Sequence, residues 1–300
     1  MAVDVSRQTT GLIELPTEIS TQIWADTIDN SIVQTLTPRI ALPAGGISIP
    51  MVTGDPEAGW VNETDEKPVG DSTFGSKVIT PYKMAVIELF SDEFRRDYGA
   101  LFNALAERLP KALGRLFDET TLGMKAAPGS GFDTLADAPE VGATGYAGYL
   151  AALRSVSDNG GDVTAWALGP GAEIDALGMV DADGRPLFIN SVTNEGSIGS
   201  ILARPVYKAR NAQFTIPGVP AGGGGTPPAV PAVDVKGIAG EWSSAMWGSV
   251  EGIKVAMTDQ GTINKGGTQY NLWQRNMFAI RAEVEVGFAV RDVNRFVKLT

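Results

Sequence analysis

Apolar residues Phe94, Tyr98, Leu101, Leu105, Leu109, Ala112, Leu113 and Leu116 recur at steps of three and four, which places them in one arc of a helix over Ser91 to Thr120. A stripe of this kind has to face a packed partner. Ser91 is suited to cap the first turn, and Asp92 and Glu93 follow where the helix macrodipole favours negative charge. On the opposite face Glu107 precedes Lys111, and Arg115 precedes Glu119, at the four-residue spacing of helical ion pairs. At about 1.5 Å per residue the helix would be roughly 45 Å long, a strut for a chain of this size. Pro110 lies inside it, removing one backbone donor and clashing with the carbonyl of Ala106 at a cost of about 3 kcal/mol. A bend near Ala106 is expected; two ordinary helices broken at Leu109 are the alternative.

The second clear pattern is alternation. From Ile280, the residues Ile280, Ala282, Val284, Val286, Phe288 and Val290 share one face of a strand, and Arg281, Glu283, Glu285 and Arg291 share the other. So long a strand needs a long partner, and the strand-like run from Thr73 to Phe90 is the candidate, the pair forming a sheet under the strut. Ile47 to Thr53 is also strand-like. Between it and Thr73 the chain is acidic and rich in turn formers, Gly54-Asp55-Pro56-Glu57 through Glu66-Lys67-Pro68, which reads as a long hairpin. Its limbs would project beyond a single core, leaving Trp60 to be covered by a second subunit or by a loop folded back on its own domain.

The remaining elements are shorter. Gly11 to Leu36, with Pro16 suited to a first turn and Ile19, Ile23, Ile28, Ile32 and Leu36 at nearly helical spacing, reads as an amphipathic arm, either folded onto its own core or reaching to a neighbour. Phe132 to Tyr149 is irregular. A helix carrying Tyr146, Tyr149, Leu150, Leu153 and Val156 ends at Asn159-Gly160-Gly161, followed by a strand at Val163 to Leu168 and a helix at Glu173 to Val180. This order suggests a mixed α/β lobe. Gln213 to Val233 has no charged side chain and holds Gly222 to Gly225 followed by Pro227, Pro228 and Pro231, an insertion loop without the Gly-Lys-Ser/Thr ending of a phosphate cradle. Ile253 to Met257 is a strand.

Composition narrows the chemistry. There is neither cysteine nor histidine, so disulfides, the usual ligands of zinc, copper and iron, and histidine-based triads are all missing. The formal charge of -11 comes without a basic run, so contact with nucleic acid is expected to be weak and non-specific. No apolar run approaches about 18 residues, and Met1-Ala2-Val3-Asp4 lacks the regions of a signal peptide, so no membrane role is expected and the protein should be made in a cytosol.

Several strings, in this order, resemble the major capsid proteins of tailed bacteriophages: Leu15-Pro16 and Ser31-Ile32-Val33-Gln34-Thr35-Leu36, then Gly59-Trp60-Val61-Asn62-Glu63, Thr80-Pro81-Tyr82-Lys83 and Ser91-Asp92-Glu93. Further along come Ala165-Trp166-Ala167-Leu168, Asp181-Ala182-Asp183-Gly184-Arg185-Pro186-Leu187-Phe188, Ala203-Arg204-Pro205-Val206-Tyr207, Ala239-Gly240-Glu241-Trp242-Ser243-Ser244-Ala245 and Arg291 to Leu299. The resemblance implies an α+β fold with an N-terminal arm (1–45), an extended hairpin loop with its strands (46–90), a long spine helix (91–130), an axial α/β domain (131–258) and C-terminal strands of a peripheral β-rich domain (259–300).

By that resemblance the protein is structural, copies forming hexamers and pentamers of an icosahedral shell around double-stranded DNA, located in the virion capsid and assembled in the host cytoplasm. Trp60, Glu63 and Lys67 on the hairpin are the expected intersubunit contacts, and Pro110 the expected bend of the spine. The expected partners are further copies of the chain, a separate scaffolding protein and a portal, with a decoration protein as a further candidate. No catalytic, cofactor-binding or metal-binding residue is assigned. Two rivals are an encapsulin-type compartment, which shares the fold, and a histidine-free hydrolase using paired carboxylates, Asp181 with Asp183 or Glu63 with Asp65.

Overall fold

A computed structural model describes residues 13–14, 31–54, 59–61, 67, 73–91, 98–142, 145–179, 199–216 and 232–300. The N-terminal half contains β1 (Ile13–Glu14), helix α1 (Ile32–Leu36), β2 (Arg39–Ala41), β3 (Ile47–Gly54), β4 (Thr73–Ile79), β5 (Tyr82–Ser91) and helix α2 (Tyr98–Thr121). There follow β6 (Glu140–Val141), α3 (Gly145–Asp158), β7 (Ala165–Leu168), α4 (Pro170–Leu177), β8 (Gly199–Ile201), β9 (Arg204–Lys208) and β10 (Phe214–Ile216). The last part holds β11 (Val233–Val235), β12 (Gly237–Gly240), β13 (Ala245–Ser249), β14 (Lys254–Thr258), β15 (Thr262–Lys265), β16 (Thr268–Asn271), β17 (Met277–Val290) and β18 (Phe296–Leu299).

The alternating run is the axis of the first sheet. Strand β17 pairs along one edge with β5, from Met277 opposite Ser91 to Val286 opposite Tyr82, and along the other with β14 and then β13. Its even-numbered residues Ile280, Ala282, Val284, Val286, Phe288 and Val290 are all buried in the main core, as the period of two requires. Leu113 and Phe117 of α2 lie in that same core, so the strut does rest on this sheet. Phe117 meets Phe288, Phe132 and Trp247 edge to face at ring separations of 6.1, 6.3 and 6.3 Å.

The structure corrects several expectations at this level. The run from Thr73 to Phe90 is two strands, because Pro81 cannot donate to a ladder and Thr80 instead sends its N–H to the Gly131 carbonyl at 3.0 Å. Ser91 is the last residue of β5, paired with Met277; residues 92–97, where the first turn was expected, lie outside the described ones, and the described helix starts at Tyr98. That helix is unbroken through Pro110, against the alternative of two helices split at Leu109. Among its described side chains Leu113 and Phe117 are buried, and Ala112 and Leu116 half-buried. Glu119 pairs with Lys125 at 2.7 Å and not with Arg115.

The second sheet, in the order β6-β18-β12-β7-β9-β8, packs one face against α3 and α4. Trp166 and Leu168 point into that helical side, joined by Tyr149, Val156, Val297 and Leu299, while Ala165, Ala167, Ile238 and Phe296 face the main core. The sheets do not follow a division at residue 258. Strands β13 and β14, from 245 to 258, belong to the first sheet, and β18 from the C-terminal stretch is threaded into the second. The uncharged stretch from Gln213 to Val233 begins and ends in a two-stranded ladder, β10 with β11, and residues 217–231 between them lie outside the described ones.

Candidate functional site

The feature that can act beyond the chain's own core is the hairpin of β3 and β4. The two strands run antiparallel from Ile47 opposite Ile79 to Val52 opposite Phe74, with a register shift before Gly54. Burial alternates along β4: Lys77 and Ile79 turn inward, while Phe74 and Val78 face outward, 76% and 54% exposed. Toward the tip Trp60 is fully exposed, and Val61 and Lys67 are exposed as well. An exposed indole, with Phe74 and Val78 exposed on β4, is the kind of surface that marks interaction sites, and the alternative in which Trp60 is buried in its own domain does not hold.

The base of the hairpin is fastened firmly. Ile79 is buried with Leu42 and Ala289, and Ile47 and Ile49 pack on them. Gly287 on β17 makes this seat possible: a Cβ there would lie 2.7 Å from Cγ2 of Ile79 and 2.9 Å from Cδ2 of Leu42. Lys77 reaches Asp133 at 2.8 Å, and the same carboxylate accepts the Val290 N–H at 2.8 Å. The limb is thus tied through one acid to the end of β17.

A second junction joins the arm to the strut. Asp118 on α2 is buried, and its carboxylate accepts from Ser31 Oγ at 2.6 Å, the Ile32 N–H at 3.2 Å, the Val33 N–H at 3.4 Å and Asn211 Nδ2 at 2.9 Å. It sits at the N-terminus of α1, which Ser31 caps by accepting the Gln34 N–H at 3.2 Å. Burial pushes the Asp118 carboxyl up to about 6, against the opposing pull of the hydrogen bonds from Asn211, Ser31, Ile32 and Val33. The arm's last turn is therefore folded onto its own strut; residues 15–30 lie outside the described ones.

Of the residues singled out from sequence, Trp60 and Lys67 are exposed on the hairpin, Glu63 lies outside the described residues, and Pro110 lies within the unbroken α2. The carboxylate pairs weighed for hydrolysis, Asp181 with Asp183 and Glu63 with Asp65, also lie outside the described residues. Among the described residues no group of three or more acidic side chains could hold a metal ion. Sequence reasoning missed Asp118, Asp133 and Gly287. The only hint of Asp118 was an acid set between Phe117 and Leu122, where the buried face of the helix continues.

The phage capsid family model matches residues 11–300. The chain belongs to the phage capsid family: it is a major capsid protein of the tailed-bacteriophage kind, a structural protein that builds a shell from copies of itself. It is 31% identical to the probable major capsid protein gp17 of Mycobacterium phage L5 over 307 residues, covering 95% of this chain and 89% of that protein. The corresponding gp17 of Mycobacterium phage D29 is 28% identical with the same coverage. Among solved structures, a chain of Gordonia phage Cozz superposes with a TM-score of 0.68 at 23% identity, over 90% of this chain and 86% of that one, which shows the shared fold.

Proposed function

We propose that copies of this chain form the hexamers and pentamers of an icosahedral shell that encloses the double-stranded DNA of a tailed phage, and that the β3–β4 hairpin lies across a neighbouring subunit in each ring. The observation that carries this reading is the hairpin itself: its base is fixed by Ile79, Gly287 and the Lys77–Asp133 pair, while its tip presents a fully exposed Trp60. A contact between a tip and a different surface of the next copy is heterologous, and such contacts build rings when the rotation between copies closes. Trp60, Glu63 and Lys67 are the contact residues of that surface. A separate scaffolding protein and a portal are the partners expected during assembly in the host cytoplasm. The acidic balance of the chain, -11, leaves packaged DNA held by weak, non-specific contact.

Electron microscopy of the expressed protein tests this directly. Closed shells or rings of six and five copies are expected, and Trp60→Ala should leave the fold intact by circular dichroism while lowering particle yield at least tenfold. A variant that assembles as well as the parent would refute the role given to the hairpin.

Pro110 has a second role in the proposal, as the point where the strut bends in one state of the shell and straightens in another. Pro110→Ala should restore a helical hydrogen bond and change the rate at which early particles expand. Unchanged expansion kinetics would remove Pro110 from the mechanism.

A further inference from the structure

The strut, the arm and the end of β9 line a cleft of about 690 Å³, and its walls carry Lys111, Arg115, Lys208 and Arg210 and, among the described residues, no carboxylate. In a chain with 24 basic and 35 acidic residues, four cations converging in this way need a counter-charge. Lys208 has one, in Glu173 at 2.5 Å. Lys111, Arg115 and Arg210 are exposed and form no ion pair among the described residues, and the acid that helical spacing offers Arg115, Glu119, is held by Lys125 at 2.7 Å. Asp118 is bonded to two residues of the lining, Ser31 and Asn211, but its carboxylate is occupied by them and by the Ile32 and Val33 N–H groups. Three cations are left for a ligand from outside the chain.

Lys111 and Arg115 stand one helical turn apart on α2, so they share a wall, and Arg210 comes from the short turn that follows β9. Tyr207, half-buried in the same lining, adds a hydroxyl. Two guanidinium forks and an ammonium arranged along a cleft suit a ligand that presents several anions in succession, and phosphate oxygens match the fork geometry. We infer that this cleft takes phosphate groups of the DNA enclosed by the shell, through Lys111, Arg115 and Arg210. The inference rests on the reading of the chain as a shell around DNA, and it gives a place to a contact that the overall charge of -11 otherwise opposes. Such contacts grip backbone oxygens and read no bases, so they hold any sequence alike. They also require that the cleft open toward the lumen of the shell.

Binding of a short DNA duplex to the full-length, unassembled chain, followed against salt, tests the chemistry. Three phosphate contacts should make binding weaken about fortyfold between about 50 and 200 mM salt, and Arg115→Gln with Arg210→Gln, which leaves one, should reduce that loss to about 3.5-fold. Arg115→Lys with Arg210→Lys keeps the charge and should keep the parent's salt dependence. Lys254→Gln with Lys265→Gln, outside the cleft, should leave it unchanged. If the cleft pair changes nothing, or the outside pair acts like it, the inference falls. Tripolyphosphate that binds where the duplex does not would assign the cleft to free polyphosphate and overturn it as well.

Because the chain has no cysteine, a single thiol reports which way the cleft faces. In closed, emptied particles carrying Lys111→Cys, N-ethylmaleimide should reach the thiol, and a polyethylene glycol maleimide too large to cross the shell should not. Labelling by both reagents places the cleft on the outer surface, and labelling by neither puts a neighbouring copy over it; either result overturns the inference. Parent particles that never hold DNA would refute the shell reading on which the inference rests, whereas DNA-filled particles together with an unchanged titration in the glutamine variant would refute the cleft alone.

Discussion

Asp118 shows how one side chain can decide whether two elements stay together. Its carboxylate gathers four donors from α1 and from the turn at Asn211, and removing it leaves those donors buried without a partner. Asp118→Ala should therefore destabilise the unassembled protein by about 3 kcal/mol, read from the midpoint of a urea melt. The pH dependence has a definite sign. The folded-state value of about 6 lies above the ordinary 3.8, so the folded protein holds the proton more tightly than the unfolded chain between those values. This contribution to stability is complete below about pH 4 and is lost as pH rises through about 6, roughly 3 kcal/mol in all. Asp118→Asn cannot titrate. The difference in stability between parent and Asp118→Asn should shift steadily against the parent from pH 4 to 6.5 and then level off, and a difference independent of pH would exclude the buried acid as its source.

At the scale of elements, what the sequence revealed and what it hid have physical causes. The alternation of β17 was legible because one face of that strand is wholly buried, and a period of two then leaves a regular trace. The hairpin was legible from its turn-rich, acidic connection, and the helix α2 from its period. The split of Thr73 to Phe90 was readable too, had Pro81 been given its weight as a residue without an N–H. By contrast, the fastening of the hairpin depends on residues far apart in the chain, Lys77 with Asp133 and Ile79 with Gly287, and no local pattern reports such encounters. Gly287 in particular looks like a weak point inside a strand, whereas its missing Cβ is what admits Ile79 and Leu42. Gly287→Ala should lift the hairpin from its seat, at a cost of about 1–3 kcal/mol for overpacking. Hydrogen exchange would show it as faster exchange along β3 and β4 with α3 unchanged, and protection unchanged on the hairpin would mean that the seat yields without strain.

At the scale of the molecule, the path of the chain ties its two cores into one unit. Strand β18 lies between β6 and β12 in the second sheet, and its residues alternate between the cores: Phe296 enters the main one, where it meets Trp242 at 5.4 Å, and Val297 and Leu299 enter the helical one. Strands β7 and β12 do the same, through Ala167 and Ile238 on one face and Trp166 and Ala239 on the other. A sheet buried on both faces cannot lose one layer without exposing the other, so the α/β part is not free to melt alone. The prediction is a single unfolding transition in calorimetry of the unassembled protein. Phe117→Ala in the main core and Val156→Ala beneath α3 should both move that one transition to lower temperature, the first by about 3–5 kcal/mol of stability and the second by less. Two separate peaks, each moved by only one of the substitutions, would show instead that the lobes unfold independently.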